Sequence, residues 1–192
     1  MAKKEKNLSL YKKVRRFFWR RIVREVVLKY ENPGRYIIEK KFFPRIKDKK
    51  VLLVGCEHYT EHYPRKLRKN MLWSIDINPD VAKYGAKEHV VGDISYATRY
   101  YPKKNFDFVF LGGIFGYGVN DKKTAERTMK ECYEILKKNG KLIIWWSDMP
   151  KHNQVIPQEL KNYRLFKESS FAGIKSGHRT KQRSQFEILV KK

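Results

Sequence analysis

Short apolar runs alternate with amphipathic segments through the middle of the chain, and this alternation predicts an α/β fold. Val51–Val54 is a continuous apolar run that leads into Gly55, and a second apolar run ends in the carboxylate of Asp76. The segment between the two runs can be helical. Strand, tight turn, helix, strand and acid in this order are typical of the first half of a nucleotide-binding unit.

The same alternation continues along the chain. Asn78 and Pro79 supply a helix start, and a short helix is expected through Ala82–Ala86. A brief strand, a helical turn, a strand, a helix and a further strand are then expected at His89–Val91, Tyr96–Tyr101, Phe106–Leu111, Lys122–Lys137 and Lys141–Trp146. The resulting order, β-α-β-α-β-β-α-β, predicts an open parallel sheet.

The C-terminal segment has no helix between its last two expected strands, Tyr163–Phe166 and Gln185–Val190, and a short helix is expected at 155–162. Two strands joined without a crossover helix are normally antiparallel. The predicted fold class is therefore a Rossmann-like open twisted sheet, mostly parallel with an antiparallel C-terminal strand. The long, basic connection Ser169–Ser184 is a candidate functional loop.

Residues 1–50 are interpreted as a basic helical extension of a single domain at 51–192. The segment Leu8–Tyr30 favours a helix whose apolar stripe rotates in its second half to Val23, Val26, Val27 and Tyr30. Such a helix either covers the sheet of its own domain or lies on an anionic membrane surface, and the pattern leaves both open.

The chain has 192 residues and a formal net charge of +24. Residues 51–150 hold 16 Lys and Arg against 12 Asp and Glu, so 20 of the 24 net charges lie outside this stretch. Both ends are therefore expected to approach an anionic surface, with membrane lipid favoured over nucleic acid. Arginines interrupt the N-terminal apolar stretch, which argues against a signal peptide or a spanning helix. Two cysteines without paired spacing favour a reducing, cytosolic compartment. Together with the basic ends, this gives an expected location in the cytoplasm, peripheral on the inner face of the membrane.

Ligands of open α/β sheets bind beyond the carboxyl ends of the strands. A carboxylate at the end of the second strand can accept both hydroxyls of a ribose, which points to Asp76. Asp93 follows the next strand, where it can reach the exocyclic amine of an adenine.

Five segments in this order resemble the motifs of class I S-adenosylmethionine-dependent methyltransferases. VLLVGCE is similar to the cofactor-binding motif, SIDINP to the ribose-binding motif and VVGDI to the adenine-side motif, while FDFVFLGG and ILKKNGKLIIWW resemble the later motifs. A bacterial subgroup has a similar GCE-x-YT turn and a similar GxFGxG loop. The resemblance covers roughly residues 50–148 and implies a methyltransferase with S-adenosyl-L-methionine as cofactor.

The resemblance also implies a set of cofactor-binding residues: Gly55, Cys56, Glu57, Tyr59, Asp76, Ile77, Asp93, Ile94, Gly112 and Gly113. The chain departs from the family at Leu53, where an acid is usual, and at Glu57 and Tyr59, where glycines are usual. Side chains at these two positions enter space that glycines leave open. They either contact the ammonium group of the cofactor or close its pocket.

The motif FDFVFLGG continues as LGGIFGYG. This loop differs from the D/N-P-P-aromatic signature of enzymes that methylate the nitrogens of bases and glutamine. The resemblance therefore implies a small-molecule, glycan or lipid-linked acceptor, with oxygen as the acceptor atom. Methyl transfer depends mainly on holding donor and acceptor in line, and a base is needed only where the acceptor must lose a proton. The acceptor-side candidates are Tyr117, Asn120, Asp121 and Asp148, with His178 as a candidate base.

Two other hypotheses remain open: a non-catalytic binding module that keeps the fold, and an RNA-binding methyltransferase. The segment His58–His62 also matches H-x-x-E-H, which in zinc proteases places two ligands and a base on one helix face. Here the motif follows a strand and Gly55, and no second motif marks a third ligand. No metal site is therefore expected.

Overall fold

The computed structural model describes residues 19, 23, 25–149 and 155–192. Its strands are β1 Lys50–Val54, β2 Met71–Asp76, β3 Glu88–Val91, β4 Phe106–Gly112, β5 Leu136–Ser147, β6 Phe166–Glu168, β7 Ser170–Phe171, β8 Ile174–Lys175, β9 His178–Arg179 and β10 Ser184–Lys191. The main sheet has the order β3-β2-β1-β4-β5-β10-β6, with β9 paired to β10 and with β7 and β8 forming a separate pair. Strands β1 to β5 are parallel, whereas β10 is antiparallel to β5 and β6. The predicted fold class and its antiparallel end are confirmed.

The helices are short except for one. The α-helices are Pro33–Tyr36, Tyr63–Lys66 and Lys122–Ile135, a π-helical stretch covers Ile37–Phe42, and 3₁₀ turns cover Phe43–Arg45, His58–Thr60, Pro79–Tyr84, Ile94–Arg99, Pro157–Glu159 and Lys161–Leu165. The start predicted at Asn78 is confirmed, because its side chain accepts a hydrogen bond from the Asp80 N–H and Pro79 follows it.

Two expected elements differ from the structure near the C-terminal half. The strand expected at Tyr163–Phe166 is wrong, because residues up to Leu165 form a 3₁₀ turn and β6 begins only at Phe166. The carboxylate of Glu126 accepts the backbone N–H groups of Lys161 and Asn162 at 2.6 and 2.9 Å, which holds this segment as a turn against the long helix. Strand propensity reflects only the local sequence, so it cannot predict such a tertiary contact.

The long helix ends two residues before the expected Lys137. Leu136 has an extended backbone, with ψ 142°, and it already pairs with Phe106 across the sheet. The strand that follows therefore begins five residues earlier than Lys141, with Asn139 at a positive φ of 62° within it.

Apolar side chains cover both faces of the sheet, as alternation along a strand requires. On β1, Leu52 and Val54 join a cluster with the long helix, whereas Val51 and Leu53 join a second cluster. That second cluster includes Ile37, Ile38, Phe42, Phe43 and Ile46. Residues 37–46 of the predicted N-terminal extension are thus part of the packed core.

The helix predicted at Leu8–Tyr30 lies largely outside the described residues. Residues 19, 23 and 25–31 are helical. Within the part of the chain that the structure describes, no helix is both long enough and apolar enough to cross a membrane.

Candidate cofactor and acceptor site

A cleft of about 670 Å³ opens at the carboxyl ends of β1, β2, β4 and β5, where open α/β sheets bind their ligands. All ten residues assigned to the cofactor from sequence line it, together with Tyr117 from the acceptor-side set. Asn120, Asp121, Asp148 and His178 are not among its lining residues.

The tight turn after β1 needs glycine at its first position. Gly55 has φ +86°, and a Cβ there would lie 3.3 Å from the carbonyl oxygen of Gly112. Its N–H donates to the Ile75 carbonyl at 3.1 Å, which ties the turn to β2. Burial, reinforced by the charge of Asp76, raises the pKa of the Cys56 thiol to about 11. The Cys56 thiol therefore stays protonated at neutral pH, and Cys56 contributes its backbone N–H group to the site.

The carboxylate of Asp76 is held from both sides by backbone N–H groups. Cys56 donates to Oδ2 at 2.7 Å, and Asn78 donates to Oδ1 at 2.8 Å. Each carboxylate oxygen keeps acceptor capacity for a further donor. Ile77 lies beside it with a 68% exposed side chain, so an acid and an apolar surface adjoin at the end of β2.

Asp93 begins the 3₁₀ turn Ile94–Arg99 after β3. Its two carboxylate oxygens accept the N–H and the hydroxyl of Ser95, each at 2.8 Å. These bonds fix the side chain at the edge of the cleft, while Ile94 is buried beneath it.

The turn Glu57–Thr60 is ordered without the glycines that the resemblance leads one to expect. The Glu57 N–H donates to the Thr60 hydroxyl at 3.0 Å, and that hydroxyl donates to the Glu57 carbonyl at 2.8 Å. Arg35 donates to the Tyr59 carbonyl at 3.0 Å, and its guanidinium carbon lies 4.9 Å from the centre of the Tyr59 ring. Burial, together with the charge of Glu57, raises the pKa of Tyr59.

Arg35 is oriented by a buried carboxylate, Glu39, which is only 5% exposed. Glu39 contacts Arg35 at 3.3 Å, His62 Nε2 at 2.9 Å and Lys66 at 3.4 Å. Burial alone raises the pKa of Glu39, but the hydrogen bond from His62 and the charges of His62, Lys66 and Arg35 outweigh it and lower the pKa overall. This cluster, Arg35-Glu39-His62-Lys66, links the N-terminal segment to the residues that follow the cofactor-binding motif VLLVGCE.

The acceptor-side candidates divide by position. Tyr117 lies in the cleft wall and is 67% exposed. Asn120 accepts the Gly118 N–H at 3.3 Å, and Asp121 caps the long helix by accepting the Thr124 N–H at 2.9 Å. Hydrogen bonds from Thr124 lower the pKa of Asp121. Both residues stabilise the loop between β4 and the helix.

Asp148 and His178 belong to the C-terminal strands. Asp148 contacts Arg179 at 2.6 Å and Arg183 at 2.8 Å and accepts from Gln185 at 3.0 Å. Burial raises its pKa, but the hydrogen bonds from Arg183 and Gln185 lower it overall. His178 lies on β9 opposite Phe186.

The H-x-x-E-H segment is drawn into other contacts. His58 is exposed and faces Glu57 at 3.5 Å, whereas His62 is bound to Glu39. Within the described ranges, no group of three His, Cys, Asp or Glu side chains is arranged to hold a metal ion.

Sequence reasoning missed a second wall of the cleft, which is made by Glu31, Asn32, Pro33, Trp145, Trp146 and Gln182. The indole of Trp145 packs where a Cβ of Gly34 would lie, and Gln182 donates to the Tyr30 carbonyl. The tryptophans end the strand motif KLIIWW, so their position at the carboxyl edge was a usable signal. Nothing in the local sequence places Glu31 there.

Comparison with known proteins agrees with this geometry. Residues 52–144 match the family model described as a methyltransferase domain. The PH0226 protein of Pyrococcus horikoshii has a TM-score of 0.64 at 18% identity, covering 85% of this chain and 92% of its own. N-methyltransferase NodS of Bradyrhizobium japonicum has a TM-score of 0.63 at 13% identity, covering 83% and 97%. A TehB-like S-adenosylmethionine-dependent methyltransferase of Corynebacterium glutamicum has a TM-score of 0.59 at 16% identity, covering 78% and 83%. No curated protein matches the sequence significantly.

The residues of the cleft fit S-adenosylmethionine. The Cβ position of Gly113 has no atom within 4 Å, so the turn after β4 leaves room beside the strand end. Carboxylates suit the hydroxyls and amines of a cofactor that carries net positive charge. The chain thus carries a methyltransferase domain at residues 52–144, in a fold shared with S-adenosylmethionine-dependent methyltransferases, and this agreement supports S-adenosylmethionine as the ligand of the cleft.

Proposed function

We propose that the cleft binds S-adenosylmethionine along the ends of β1, β2 and β3 and presents it to a small-molecule, glycan or lipid-linked acceptor entering past Tyr117. The observation that carries this proposal is the Asp76 carboxylate, which two backbone N–H groups hold at the cleft. When bound, the cofactor supplies a methyl group made electrophilic by a sulfonium sulfur. Oxygen as acceptor atom, and membership of the GCE-x-YT subgroup, are expectations from sequence alone.

The residues on the cofactor side of the cleft have distinct roles in this proposal. Asp76 accepts the ribose hydroxyls, Asp93 lies on the adenine side, and Glu57 is placed for the ammonium group of the methionine part. Ile77 covers one face of the adenine with apolar surface. The backbone at Gly55, Cys56, Gly112 and Gly113 forms the floor, with Ile94 packed under the adenine end.

Tyr59 replaces a glycine and yet leaves the cleft open. Its ring is held against Arg35, which in turn is fixed by Glu39. The turn that follows the cofactor-binding motif is therefore stabilised by side chains, where related proteins usually have glycines. This supports a working cofactor site over a decayed one.

Thermal unfolding tests the proposal. A ligand that binds only the folded state stabilises it by an amount that grows with the logarithm of the ligand concentration relative to Kd. S-adenosylmethionine and S-adenosylhomocysteine at a hundredfold excess over Kd are therefore each expected to raise the Tm by roughly 5–10 °C. ATP and NAD, which add phosphates to the same adenosine, are expected to leave the Tm unchanged. No shift with either sulfur compound would contradict the proposal.

We further propose that the N-terminal helix docks on an anionic membrane. Its apolar stripe, defined as Trp19, Val23, Val26, Val27 and Tyr30, follows helical spacing and is 61, 48, 48, 43 and 65% exposed. Residues 1–30 carry 11 Lys and Arg against 2 acids. Aromatic and aliphatic side chains on a basic helix suit the interface of anionic lipid.

Flotation with vesicles tests this surface. Vesicles containing phosphatidylglycerol are expected to bind the protein, with affinity falling as salt rises, and phosphatidylcholine vesicles to bind weakly. The double variant Val23→Glu/Val27→Glu is expected to lose about tenfold or more in binding, since it places charge in the lipid-facing stripe. Met71→Glu, at an equally exposed apolar residue on β2, is the control. Binding to RNA in gel shifts without binding to anionic vesicles would contradict the proposal.

A further inference from the structure

The wall of the cleft is acidic in a strongly basic protein. It contains four carboxylates, Glu31, Glu57, Asp76 and Asp93, and its described lining residues include no Lys, Arg or His. The whole chain has 44 Lys and Arg against 20 Asp and Glu. Lys and Arg thus outnumber Asp and Glu by about two to one in the whole chain, whereas the described lining of the cleft has acids and no cationic residue.

None of these four carboxylates forms an ion pair with a Lys or Arg in the part of the chain that the structure describes. Glu57 faces the imidazole of His58 at 3.5 Å. Unneutralised acids in a cleft with low-dielectric walls concentrate cations there.

Three of the four acids are used by the cofactor in the proposed function, on which this inference rests. Glu31 is left over. It lies at the end of the N-terminal helical residues, where Asn32 caps the next helix by accepting the Arg35 N–H at 3.2 Å. Gly34 packs on Trp145 two positions later. A fixed backbone thus places Glu31, an exposed residue, in the lining of the cleft.

The same cleft also has aromatic rings in its lining. Tyr117, Trp145 and Trp146 line the cleft, and Trp146 is fixed by a hydrogen bond from its Nε1 to the buried Glu187. Aromatic faces attract cations, most strongly where water is partly excluded. Glu31 and these rings line one cleft, and a carboxylate together with aromatic faces suits an alkylammonium group.

We infer that the methyl acceptor of this protein is an amine, which the cleft recognises in its cationic form through Glu31 and the aromatic wall. The other acceptor classes fit less well. A carboxylate or phosphate would meet four acids and no cation among the described lining residues. A hydroxyl loses its proton far less readily than an ammonium group, and the described lining offers it carboxylates but no histidine or lysine as a base.

The step balances for an amine. The ammonium group releases one proton to solvent, and the neutral nitrogen forms a bond to the methyl carbon. The bond from that carbon to sulfur breaks, and its electron pair stays on sulfur. The product is a methylated ammonium ion that carries the positive charge formerly on sulfur, so the site remains electrostatically matched throughout.

Binding of matched probes to the protein saturated with S-adenosylhomocysteine tests the inference. The probes are 2-phenylethylamine, 2-phenylethanol and 3-phenylpropanoate, titrated to millimolar concentration and followed by ligand-observed NMR. The amine is expected to bind about tenfold tighter than the alcohol, because the charge adds one ion pair and a cation–π contact. The carboxylate is expected not to bind.

Glu31→Gln is expected to remove most of the preference for the amine, with S-adenosylhomocysteine affinity unchanged within about twofold. Glu61→Gln, an exposed acid outside the lining, is the matched control. Equal binding of the three probes, tighter binding of the alcohol or carboxylate, or no binding of the amine would overturn the inference. Failure of S-adenosylhomocysteine to bind at all would instead overturn the proposed function, so the two failures are distinguishable.

Discussion

Asp76→Ala is expected to lower the affinity for S-adenosylhomocysteine by a factor of about 100 or more. The carboxylate is the proposed acceptor for both ribose hydroxyls, and hydrogen bonds to a charged group contribute about 1.5–3 kcal/mol each. The same carboxylate holds the N–H groups of Cys56 and Asn78, so its removal also loosens the turn after β1. Isothermal titration calorimetry measures the loss.

Asp80→Ala is the matched control for this variant. Asp80 is exposed, lies four residues further along the chain and is not a lining residue of the cleft. Its affinity for S-adenosylhomocysteine is expected to equal that of the unmodified protein. If Asp76→Ala folds, as judged by circular dichroism, and still binds with unchanged affinity, the cofactor does not lie at the end of β2.

Glu39→Ala is expected to lower the free energy of unfolding by about 3–5 kcal/mol, the usual effect of removing one partner from a buried ionic cluster. The change leaves Arg35, His62 and Lys66 without their common counter-charge. Urea unfolding measures the effect, with Glu134→Ala as control. Glu134 pairs with Lys103 at 3.2 Å on the surface, where the lysine side chain is 67% exposed, and its loss is expected to lower the free energy of unfolding by about 1 kcal/mol or less. Equal effects of the two variants would show that the cluster does not stabilise the fold.

The Glu39 cluster also gives a pH dependence of defined sign. The pKa of Glu39 is lower in the folded protein than its ordinary value of 4.5, so the unfolded chain binds the proton more readily. The stabilisation is therefore complete above pH 4.5 and is lost as the pH falls through the folded-state pKa. Urea unfolding of the unmodified protein is expected to show this decline, and Glu39→Gln to flatten it.

The strands were predictable because their signals are local. Continuous apolar runs ending in glycine or an acid mark buried parallel strands, and β1, β2 and β4 lie where the pattern placed them. The predicted elements are wrong where a contact with a residue distant in sequence determines the backbone conformation. Glu126 holds Lys161 and Asn162 in a turn, and the pairing of Leu136 with Phe106 ends the long helix early.

The strand-end residues of the cleft were predictable for the same reason, whereas Asn120, Asp121, Asp148 and His178 do not line it. Residues that directly follow strands converge at the carboxyl edge of a parallel sheet, so Asp76, Asp93 and Gly112 reach one cleft. The support of Tyr59 by Arg35, and the position of Glu31 in the cleft wall, depend on how residues 31–46 fold against the sheet. No periodicity within those residues specifies that path.

We propose above all that the cofactor-binding motif still forms a cofactor site, although Glu57 and Tyr59 stand where glycines are usual. Calorimetric titration of the unmodified protein with S-adenosylhomocysteine tests it most directly. We expect binding at a single site per chain with a Kd in the micromolar range. A titration that remains flat into the high micromolar range, with a protein that is folded, would contradict the claim.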